Sequence, residues 1–458
     1  MRRGAFDMRC APLAIESLEE RRVLSSAAYV TSLYADLLHR DPAPTELSIW
    51  LGALAAGESA RYVALSFVTS PEYQSDLVQN DYQLLLRRQA DAPSLPAWVA
   101  AVSAGLRPEQ LAANLLASDE YYALQGGANS SWLQGVYQDA LGRAIDLSGA
   151  DYWSQTLHDG VSRQSVALGI VTSPEALTRT VNVAYQDLLR RVPETAGQAF
   201  WVNRLEQGQT PAQLLVDIAR SPEFVALQGG LDVVNLSPLD LQATTPSPLS
   251  GTSNVSWTVR EQQNEARAAL GHAPILCLGD SITDWFATGA GRPVWNASLA
   301  SLGAADFAVG GVATSQVLWQ VQAGQVAAVS PNVVMLMIGT NNVAAGQSPP
   351  AVAEAIAQIV DGIEAQSPHA KILLLGILPR GFTPAEPLRS PISQVNALMA
   401  LLADGSRVRY LDIGGSFLQR DGTISPIVMS DAVHPTALGY QILVRAIWQP
   451  LIDLTARP

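Results

Sequence analysis

The two halves of the chain differ in how their hydrophobic residues are spaced. Between residues 27 and 230, apolar side chains recur every three or four positions in short stretches separated by glycine, proline and polar residues. Leu214, Leu215 and Ile218 form one such stretch, which ends before Ser221. This spacing puts the apolar side chains on one face of a helix. The pattern therefore predicts an all-α first half built from several short helices.

From Trp257 onward, short continuous apolar runs alternate with amphipathic stretches. The runs occupy residues 275–278, 307–309, 333–338, 372–377 and 408–413. Runs of this length, bounded by polar residues, are typical of strands that are buried on both faces. The clearest amphipathic stretch follows Ser348, with Val352, Ile356 and Ile359 on one face. Alternating strands and helices predict a three-layer α/β domain with a five-stranded parallel sheet.

The helical half consists of four repeats. A tyrosine, a tryptophan and a glycine each recur at intervals of 48, 55 and 48 residues. They are Tyr34, Tyr82, Tyr137 and Tyr185; Trp50, Trp98, Trp153 and Trp201; and Gly57, Gly105, Gly160 and Gly208. Each unit closes on a Ser-Pro-Glu or Ser-Asp-Glu triplet, which is typical of a helix start. The units cover about 27–76, 77–127, 128–178 and 179–230, and the spacing indicates that a two-repeat block was duplicated.

Two segments outside the repeats lack this periodicity. Residues 231–258 are rich in Ser, Thr and Pro and are predicted to form an extended linker with few contacts between the two halves. The following domain is then expected to span 259–458. Residues 1–26 begin with Arg2 and Arg3 but contain no apolar core of a secretory signal. Residues 18–25 resemble the L-E-P-R-x-L-L element of bacterial exported proteins, and an ordinary charged helix start is the alternative.

Composition and charge argue against several binding partners and structural features. The net charge of −13 argues against nucleic acid or an anionic membrane surface. The two cysteines, Cys10 and Cys277, provide neither a disulfide framework nor a thiolate metal site. No uninterrupted apolar run approaches 18 residues, so no transmembrane helix is predicted. No His, Cys or Asp cluster has the spacing of metal ligands, so neither a metal nor another cofactor is expected.

The candidate catalytic residues all follow predicted strands. Ser281 follows the first strand, Gly311 the second and Asn341 the third, while Asp431 and His434 lie after the fifth. The carboxyl ends of parallel strands meet at one edge of a sheet, where ligands bind. A histidine with a carboxylate three residues before it can activate a serine hydroxyl. Of the five histidines, only His434 is expected at this edge, with a helix-capping role as its alternative.

Four blocks in the second half resemble the SGNH (GDSL-type) hydrolases. They are Gly279-Asp280-Ser281-Ile282, Gly310-Gly311, Gly339-Thr340-Asn341-Asn342 and Asp431-Ala432-Val433-His434. The closest subgroup is the platelet-activating-factor acetylhydrolase Ib catalytic subunits. The resemblance implies that Ser281 is the nucleophile, His434 the base and Asp431 its orienting partner. It also implies an oxyanion hole formed by the main-chain N–H groups of Ser281 and Gly311 and the side-chain amide of Asn341.

The same subgroup implies a short acyl pocket. Its matching residues are Ile282, Thr340 and Val433, whose bulk favours acetyl. One position departs from many relatives, because Val312 replaces an Asp after the glycine pair, which puts local hydrogen bonding there in question.

The repeats resemble the bacterial helical repeat domain of unknown function DUF4214, which is similar in fold to phycobilisome-linker domains. This resemblance favours a module that binds cell-surface or matrix components, although the recurring aromatic residues themselves are better explained as the core of each unit. The chain is therefore expected to be a secreted or cell-surface esterase without a standard signal peptide. Its substrate would be an acetylated polysaccharide or a lipid ester. A surface adhesion protein with a vestigial esterase-like domain is the alternative function, and a cytoplasmic location stays open.

Overall fold

A computed structural model describes residues 18–228, 237–249, 255–404 and 407–455. The first of these ranges is entirely helical apart from its connections. Its helices are α1 (Leu18–Leu37), α2 (Pro44–Ala55), α3 (Ala60–Val68), α4 (Pro71–Leu86), α5 (Ser94–Ser103), α6 (Pro108–Ala117), α7 (Asp119–Leu124), α8 (Asn129–Leu141), α9 (Leu147–His158), α10 (Arg163–Val171), α11 (Pro174–Leu189), α12 (Thr195–Glu206), α13 (Pro211–Ala219) and α14 (Pro222–Leu227). The predicted all-α first half is confirmed.

The remaining described residues form an α/β domain and a short helix before it. The elements are α15 (Pro238–Thr244), α16 (Val255–Ala268), β1 (Ile275–Gly279), α17 (Ser281–Thr288), α18 (Arg292–Ala297), β2 (Ala305–Asp306), α19 (Thr314–Gln322), α20 (Gln325–Val329), β3 (Val333–Met337), α21 (Thr340–Ala344), α22 (Pro349–Gln366), β4 (Lys371–Leu375), α23 (Arg389–Ala400), β5 (Val408–Leu411) and α24 (Ala437–Thr455). The strands pair in parallel in the order β2-β1-β3-β4-β5. The predicted five-stranded parallel sheet is confirmed, with β2 shorter and earlier than the predicted run.

The recurring residues of the repeats hold each unit together in the same way. In every unit the tryptophan indole donates a hydrogen bond to the tyrosine hydroxyl, as Trp98 does to Tyr82 at 3.0 Å. An arginine lies over the face of that tyrosine and pairs with the glutamate of the closing triplet, as Arg88 does with Glu120 at 2.5 Å. The interpretation of the aromatic residues as core is therefore correct for the tyrosines, which are buried.

The uneven spacing of the repeats has a local cause. In α4 and α11, a single 16-residue helix runs from the closing triplet of one unit to the tyrosine of the next. Between units two and three, α7 ends at Leu124 and α8 begins only at Asn129. Gly126 and Gly127 fill this break with positive φ angles of 89° and 69°, a conformation that favours glycine. The longer interval therefore reflects an interrupted helix.

The two halves pack against each other, and the prediction of few contacts between them is wrong. Tyr62 of α3 is buried and donates a hydrogen bond to the carbonyl of Ala353 in α22 at 2.7 Å. Arg61 pairs with Asp361 of α22, and Arg204 of α12 pairs with Glu364 at 3.2 Å. Basic side chains of units one and four thus meet an acidic face of α22. The apolar core of these units continues into that of the α/β domain.

The segment predicted as an extended linker also differs from its prediction. Its described part forms α15, which lies on α19 and α22 and buries Ala243 completely. Thr314 donates a hydrogen bond to the carbonyl of Ala243, and Gln347 donates one to the carbonyl of Leu239, both at 2.9 Å. These tertiary contacts, rather than a helical pattern, account for the helix.

Two predicted boundaries change as well. Helix α16 begins at Val255, so the α/β domain starts before the predicted residue 259. Residues 18–26 of the predicted leader are part of α1, which fits the helix-start alternative, and residues 1–17 lie outside the described residues.

Candidate active site

Ser281 is presented by a sharp connection between β1 and α17. Gly279 must be glycine, because an added Cβ atom would lie 2.4 Å from the carbonyl oxygen of Met337. The buried carboxylate of Asp280 caps α17 by accepting a hydrogen bond from the N–H of Ile282 at 3.0 Å. Burial raises the pKa of Asp280 to about 6. Ser281 is the first residue of α17, so its own N–H has no partner within the helix.

A tight turn before α24 holds Asp431 and His434. Ala432 adopts a left-handed φ of 59°, and its carbonyl accepts a hydrogen bond from the N–H of Gly381 at 3.0 Å. One carboxylate oxygen of Asp431 accepts from the N–H groups of Val433 and His434, at 3.0 and 2.7 Å. The three-residue spacing of the motif is therefore the spacing of this turn.

A continuous hydrogen-bonded chain joins Asp431, His434 and Ser281. The Nδ1 atom of His434 lies 2.6 Å from the second carboxylate oxygen of Asp431, and its Nε2 atom lies 2.8 Å from the Oγ atom of Ser281. Because a carboxylate only accepts hydrogen bonds, Nδ1 of a neutral imidazole donates to it, which leaves Nε2 free to accept the serine proton.

The hydrogen bonds of Asp431 keep it ionised. Burial opposes its charge, but the ring of His434 and the N–H groups of His434 and Val433 lower the pKa of Asp431 to about 2. Its carboxylate can therefore orient His434 and stabilise a positive charge on the ring above about pH 4.

Besides the N–H of Ser281, the predicted oxyanion donors are Gly311, in the loop after β2, and Asn341, in helix α21 after β3. An ideal Cβ added to Gly310 would lie 3.9 Å from the Cβ of Ser281, which places this loop beside the serine. Gly311 has a φ of 81° and open space where a side chain would project. The side-chain N–H₂ of Asn341 donates a hydrogen bond to the carbonyl of Val312 at 2.7 Å. This bond orients the amide and uses only one of its two N–H groups. The acceptor is the main-chain carbonyl of residue 312, so this bond does not depend on the side chain that Val312 supplies in place of Asp.

Asp284 and Arg260 support the loop after β2, and neither was predicted to do so. Asp284 lies in the first turn of α17, and its carboxylate accepts a hydrogen bond from the N–H of Gly310 at 3.1 Å. Arg260 of α16 lies 3.2 Å from Asp284 and 2.8 Å from Asp306. These buried contacts tie the glycine loop to the helix that bears Ser281.

Trp285 is a third residue that the sequence interpretation missed. Its indole stacks on the imidazole of His434, with 4.1 Å between ring centroids and 27° between ring planes. An aromatic face attracts a cation, so this contact favours the imidazolium that forms when His434 takes a proton. Asp284 and Trp285 follow Ser281 by three and four residues, a spacing that places them on the same helical face and could have identified both.

The three residues of the predicted acyl pocket differ in their surroundings. Ile282 is buried, and its carbonyl accepts a hydrogen bond from the hydroxyl of Tyr440 at 2.7 Å. Thr340 is also buried and accepts hydrogen bonds from Arg380 through its carbonyl and its hydroxyl, at 3.2 and 3.3 Å. Val433 is half-buried in the turn beside His434. Their role toward an acyl group stays a prediction.

The described ranges contain neither a cluster of side chains suited to a metal ion nor a helix suited to span a membrane. Among residues 18–228, 237–249, 255–404 and 407–455, no group of three or more His, Cys, Asp or Glu side chains is arranged to hold a metal ion. Within the same ranges, no helix has both the length and the apolar character needed to cross a bilayer.

Each half of the chain matches a known protein family. The GDSL-like lipase/acylhydrolase family matches residues 277–442. A domain of unknown function (DUF4214) matches residues 14–77, 112–180 and 176–228. Residues 78–111, which belong to the second repeat, lie outside these matches.

Two related proteins support the first assignment, and one solved structure resembles part of the chain at low identity. Platelet-activating factor acetylhydrolase IB subunit alpha1 of Homo sapiens is 37% identical over 217 residues, which are 47% of this chain and 91% of that protein. Platelet-activating factor acetylhydrolase IB subunit alpha2 of Rattus norvegicus is 34% identical over 181 residues, which are 39% of this chain and 76% of that protein. A GDSL-like lipase from Bacteroides thetaiotaomicron is 20% identical, with a TM-score of 0.37, and the match covers 42% of this chain and 97% of the lipase. The chain belongs to the GDSL-like lipase/acylhydrolase family and is a hydrolase of ester bonds.

Proposed function

We propose that the protein is a serine esterase that removes short acyl groups, acetyl above all, through Ser281, His434 and Asp431. The observation that carries this proposal is the hydrogen-bonded chain from Asp431 through His434 to Ser281. A serine hydroxyl becomes an effective nucleophile when a neutral imidazole within hydrogen-bond reach takes its proton.

The proposed reaction has two steps. In the first, the Oγ atom of Ser281 attacks the ester carbonyl while Nε2 of His434 takes the hydroxyl proton. The resulting tetrahedral intermediate expels the alcohol, which receives that proton from His434. In the second, His434 takes a proton from water, the hydroxide attacks the acyl-enzyme, and the acid leaves as Ser281 recovers its proton.

The negative charge of the intermediate requires hydrogen-bond donors beside Ser281. We assign this role to the N–H groups of Ser281 and Gly311 and to the amide of Asn341. Two features support this assignment: Gly311 has a left-handed conformation, and the bond from Asn341 to the carbonyl of Val312 orients the Asn341 amide. Loss of one such donor in other hydrolases costs about 2.7–4 kcal/mol of transition-state stabilisation.

The acyl preference rests on two supports. Relatives at 34–37% identity are named acetylhydrolases. The residues beside the nucleophile, Asn341 and His434 are Ile282, Thr340 and Val433, whose bulk favours a short acyl chain. The natural substrate would be an acetylated polysaccharide or a lipid ester, and assays on both classes distinguish between them.

The test compares hydrolysis of p-nitrophenyl acetate, butyrate and octanoate by the full chain and by the Ser281→Ala variant. Triad members act as a unit, so Ser281→Ala should lower kcat by on the order of 10³-fold or more while the fold is kept. Ser416→Ala is the matched control, because Ser416 is exposed in the same domain. Residual activity above about a tenth in Ser281→Ala would overturn the assignment of the nucleophile. A preference for octanoate would overturn only the acetyl assignment.

We also propose that the helical half binds a component of the cell surface or matrix and that the chain is exported. Support comes from the DUF4214 matches and from the resemblance of residues 18–25 to an element of exported proteins. Fractionation of producing cells, probed for the full chain, tests the location. Recovery only with the cytoplasm would contradict it.

A further inference from the structure

The second repeat reverses a polarity pattern that the other three repeats share. In units one, three and four, the residue before the recurring tyrosine is apolar and buried, and the residue two positions after it is aspartate. These pairs are Leu33 and Asp36, Val136 and Asp139, and Ala184 and Asp187. Unit two has Asp81 before Tyr82 and Leu84 after it. A carboxylate thus occupies a position that is apolar in the equivalent places of the other units.

Both exchanged residues line a cleft that the four repeats enclose. The cleft has a volume of about 480 Å³ and receives residues from α1, α4, α6, α8, α11 and α13. Its apolar walls include Leu85 and Leu116, which are buried, and Leu84, which is half exposed. Ligand pockets in proteins have volumes of about 300–1,000 Å³ and combine apolar walls with a few polar groups.

Asp81 lies in this cleft without a partner. Within the part of the chain that the structure describes, its carboxylate has neither a hydrogen bond nor an ion pair. By contrast, Asp36 pairs with Arg190 at 2.5 Å, and Asp139 pairs with Arg87 at 2.8 Å. Asp81 is half-buried in the wall of the cleft, and this partial burial raises the pKa of Asp81 to about 7. A carboxylate in apolar surroundings destabilises the fold unless a positive charge compensates it, and broken local rules of this kind are expected at functional sites.

The other charged residues of the cleft also favour a positively charged ligand. Asp76 and Asp187 also line it, together with Glu109, which pairs with Arg107 at 3.2 Å. Two basic side chains, His39 and Arg179, are present, and the guanidinium of Arg179 lies close to Gly142. The carboxylates therefore outnumber the basic groups of the lining.

We propose that this cleft is a binding site for a small organic cation, an amine on an aliphatic chain, with Asp81 as the counter-ion. The ammonium group would pair with Asp81, and the aliphatic chain would lie along Leu84, Leu85 and Leu116. A metal ion fits less well, because the described residues contain no group of three or more His, Cys, Asp or Glu side chains arranged for one. The proposed site is separate from the esterase residues and gives the helical half a ligand of its own.

Calorimetric titration of the full chain with hexylamine at pH 8 tests the site. Hexan-1-ol, which has the same chain without the charge, is the matched ligand control. We expect saturable binding of hexylamine, no binding of hexan-1-ol at equal concentration, and at least a tenfold weaker affinity for hexylamine in Asp81→Asn. Asp151→Asn, which removes an exposed charge on α9, should bind as the wild type does.

A second variant keeps the test independent of folding. Asp81→Val restores the apolar residue type of the other three units, so it should fold at least as stably as the wild type and should still lose hexylamine binding. Unchanged hexylamine affinity in both Asp81 variants would overturn the proposal. Equal binding of hexan-1-ol, or saturable binding of Ca²⁺ without binding of hexylamine, would overturn it as well.

Discussion

Replacing Thr314 by valine would test whether the segment before the α/β domain is a structural part of it. Thr314 is fully buried; its hydroxyl donates to the carbonyl of Ala243 at 2.9 Å and accepts from the side-chain N–H₂ of Asn342 at 2.7 Å. Valine keeps the shape of the side chain but removes both hydrogen bonds. Ala243 belongs to α15, so the first of these bonds joins that helix to the domain.

The magnitude follows from the groups that lose a partner. A buried donor or acceptor without a partner costs about 1–3 kcal/mol. Two groups are affected, but the amide of Asn342 keeps its bond to Gln347 at 2.6 Å. Its penalty is therefore at the low end, and we expect the free energy of unfolding to fall by about 2–4 kcal/mol.

Urea unfolding of the full chain, followed by circular dichroism and tryptophan fluorescence, measures this change. Thr172→Val is the matched control, because Thr172 is exposed and its hydroxyl bonds only to the carbonyl of Leu168 in its own helix. The control should change stability by less than about 0.5 kcal/mol. An equally small change in Thr314→Val would refute the packing of α15 and restore the extended linker.

Two further predictions concern the candidate active site. Val433→Ala should shift the ratio of kcat/KM for p-nitrophenyl butyrate over acetate toward butyrate by about 10- to 200-fold, because one or two methylenes are worth about 1–3 kcal/mol in an apolar pocket. An unchanged ratio would show that Val433 is not part of the acyl pocket. Trp285→Leu should lower kcat on the acetyl ester by about 5- to 30-fold with little change in KM, since a contact between a cation and an aromatic face is worth about 1–2 kcal/mol, and Trp285→Phe should recover part of the loss. A rise in KM with unchanged kcat would show that Trp285 contacts substrate instead.

Features with a strong periodic signal were predictable from the sequence. The continuous apolar runs gave four strands close to their observed bounds, and Ser348 caps α22 as expected. The glycines that end the second helix of each repeat all adopt positive φ, from 88° at Gly160 to 104° at Gly208. Parallel strand order then places Ser281, Asn341 and His434 at one edge without further information.

Contacts between distant residues were not predictable in the same way. The arginine after each tyrosine and the glutamate of each closing triplet were both visible, yet their pairing across 32 residues depends on how the helices fold back. The position of Arg260 under the glycine loop likewise depends on the packing of α16. The pattern of one sequence does not specify such pairs, because several oppositely charged residues could pair with the same arginine.

The interface between the halves shows why composition misled the linker prediction. Ser, Thr and Pro are typical of extended tethers, but Ser237 caps α15 by accepting from the N–H of Asp240 at 3.1 Å, and Asp240 accepts from the N–H of Ser348 at 2.7 Å. Short polar side chains here satisfy main-chain groups of both the segment and the domain. The contacts therefore correct the expected separation of the halves.

The unpaired carboxyl of Asp81 also predicts a pH dependence of stability. Its pKa rises from 3.8 to about 7 on folding because of burial, so the folded state binds more protons between these values. Stability is therefore lost as pH rises through that range, and Asp81→Val should remove the loss. From these pKa values, the advantage of the valine variant grows by about 2 kcal/mol between pH 5.5 and 8.5, and by about 1 kcal/mol after allowance for solvent screening.

Urea unfolding of both proteins at pH 5.5, 7.0 and 8.5 isolates this contribution, because the remaining titratable groups of the cleft are common to both. These groups are Asp36, Asp76, Glu109, Asp139, Asp187, His39, Tyr73 and Arg179. Asp151→Asn should differ from the wild type by the same amount at each pH. If Asp81→Val also shows a constant difference, the carboxyl of Asp81 is well solvated, and the cleft has no uncompensated charge to attract a cation. A growing difference that saturating hexylamine reduces at pH 8.5 would connect the stability of the repeats directly to occupancy of the cleft, since a ligand that binds only the folded state stabilises it.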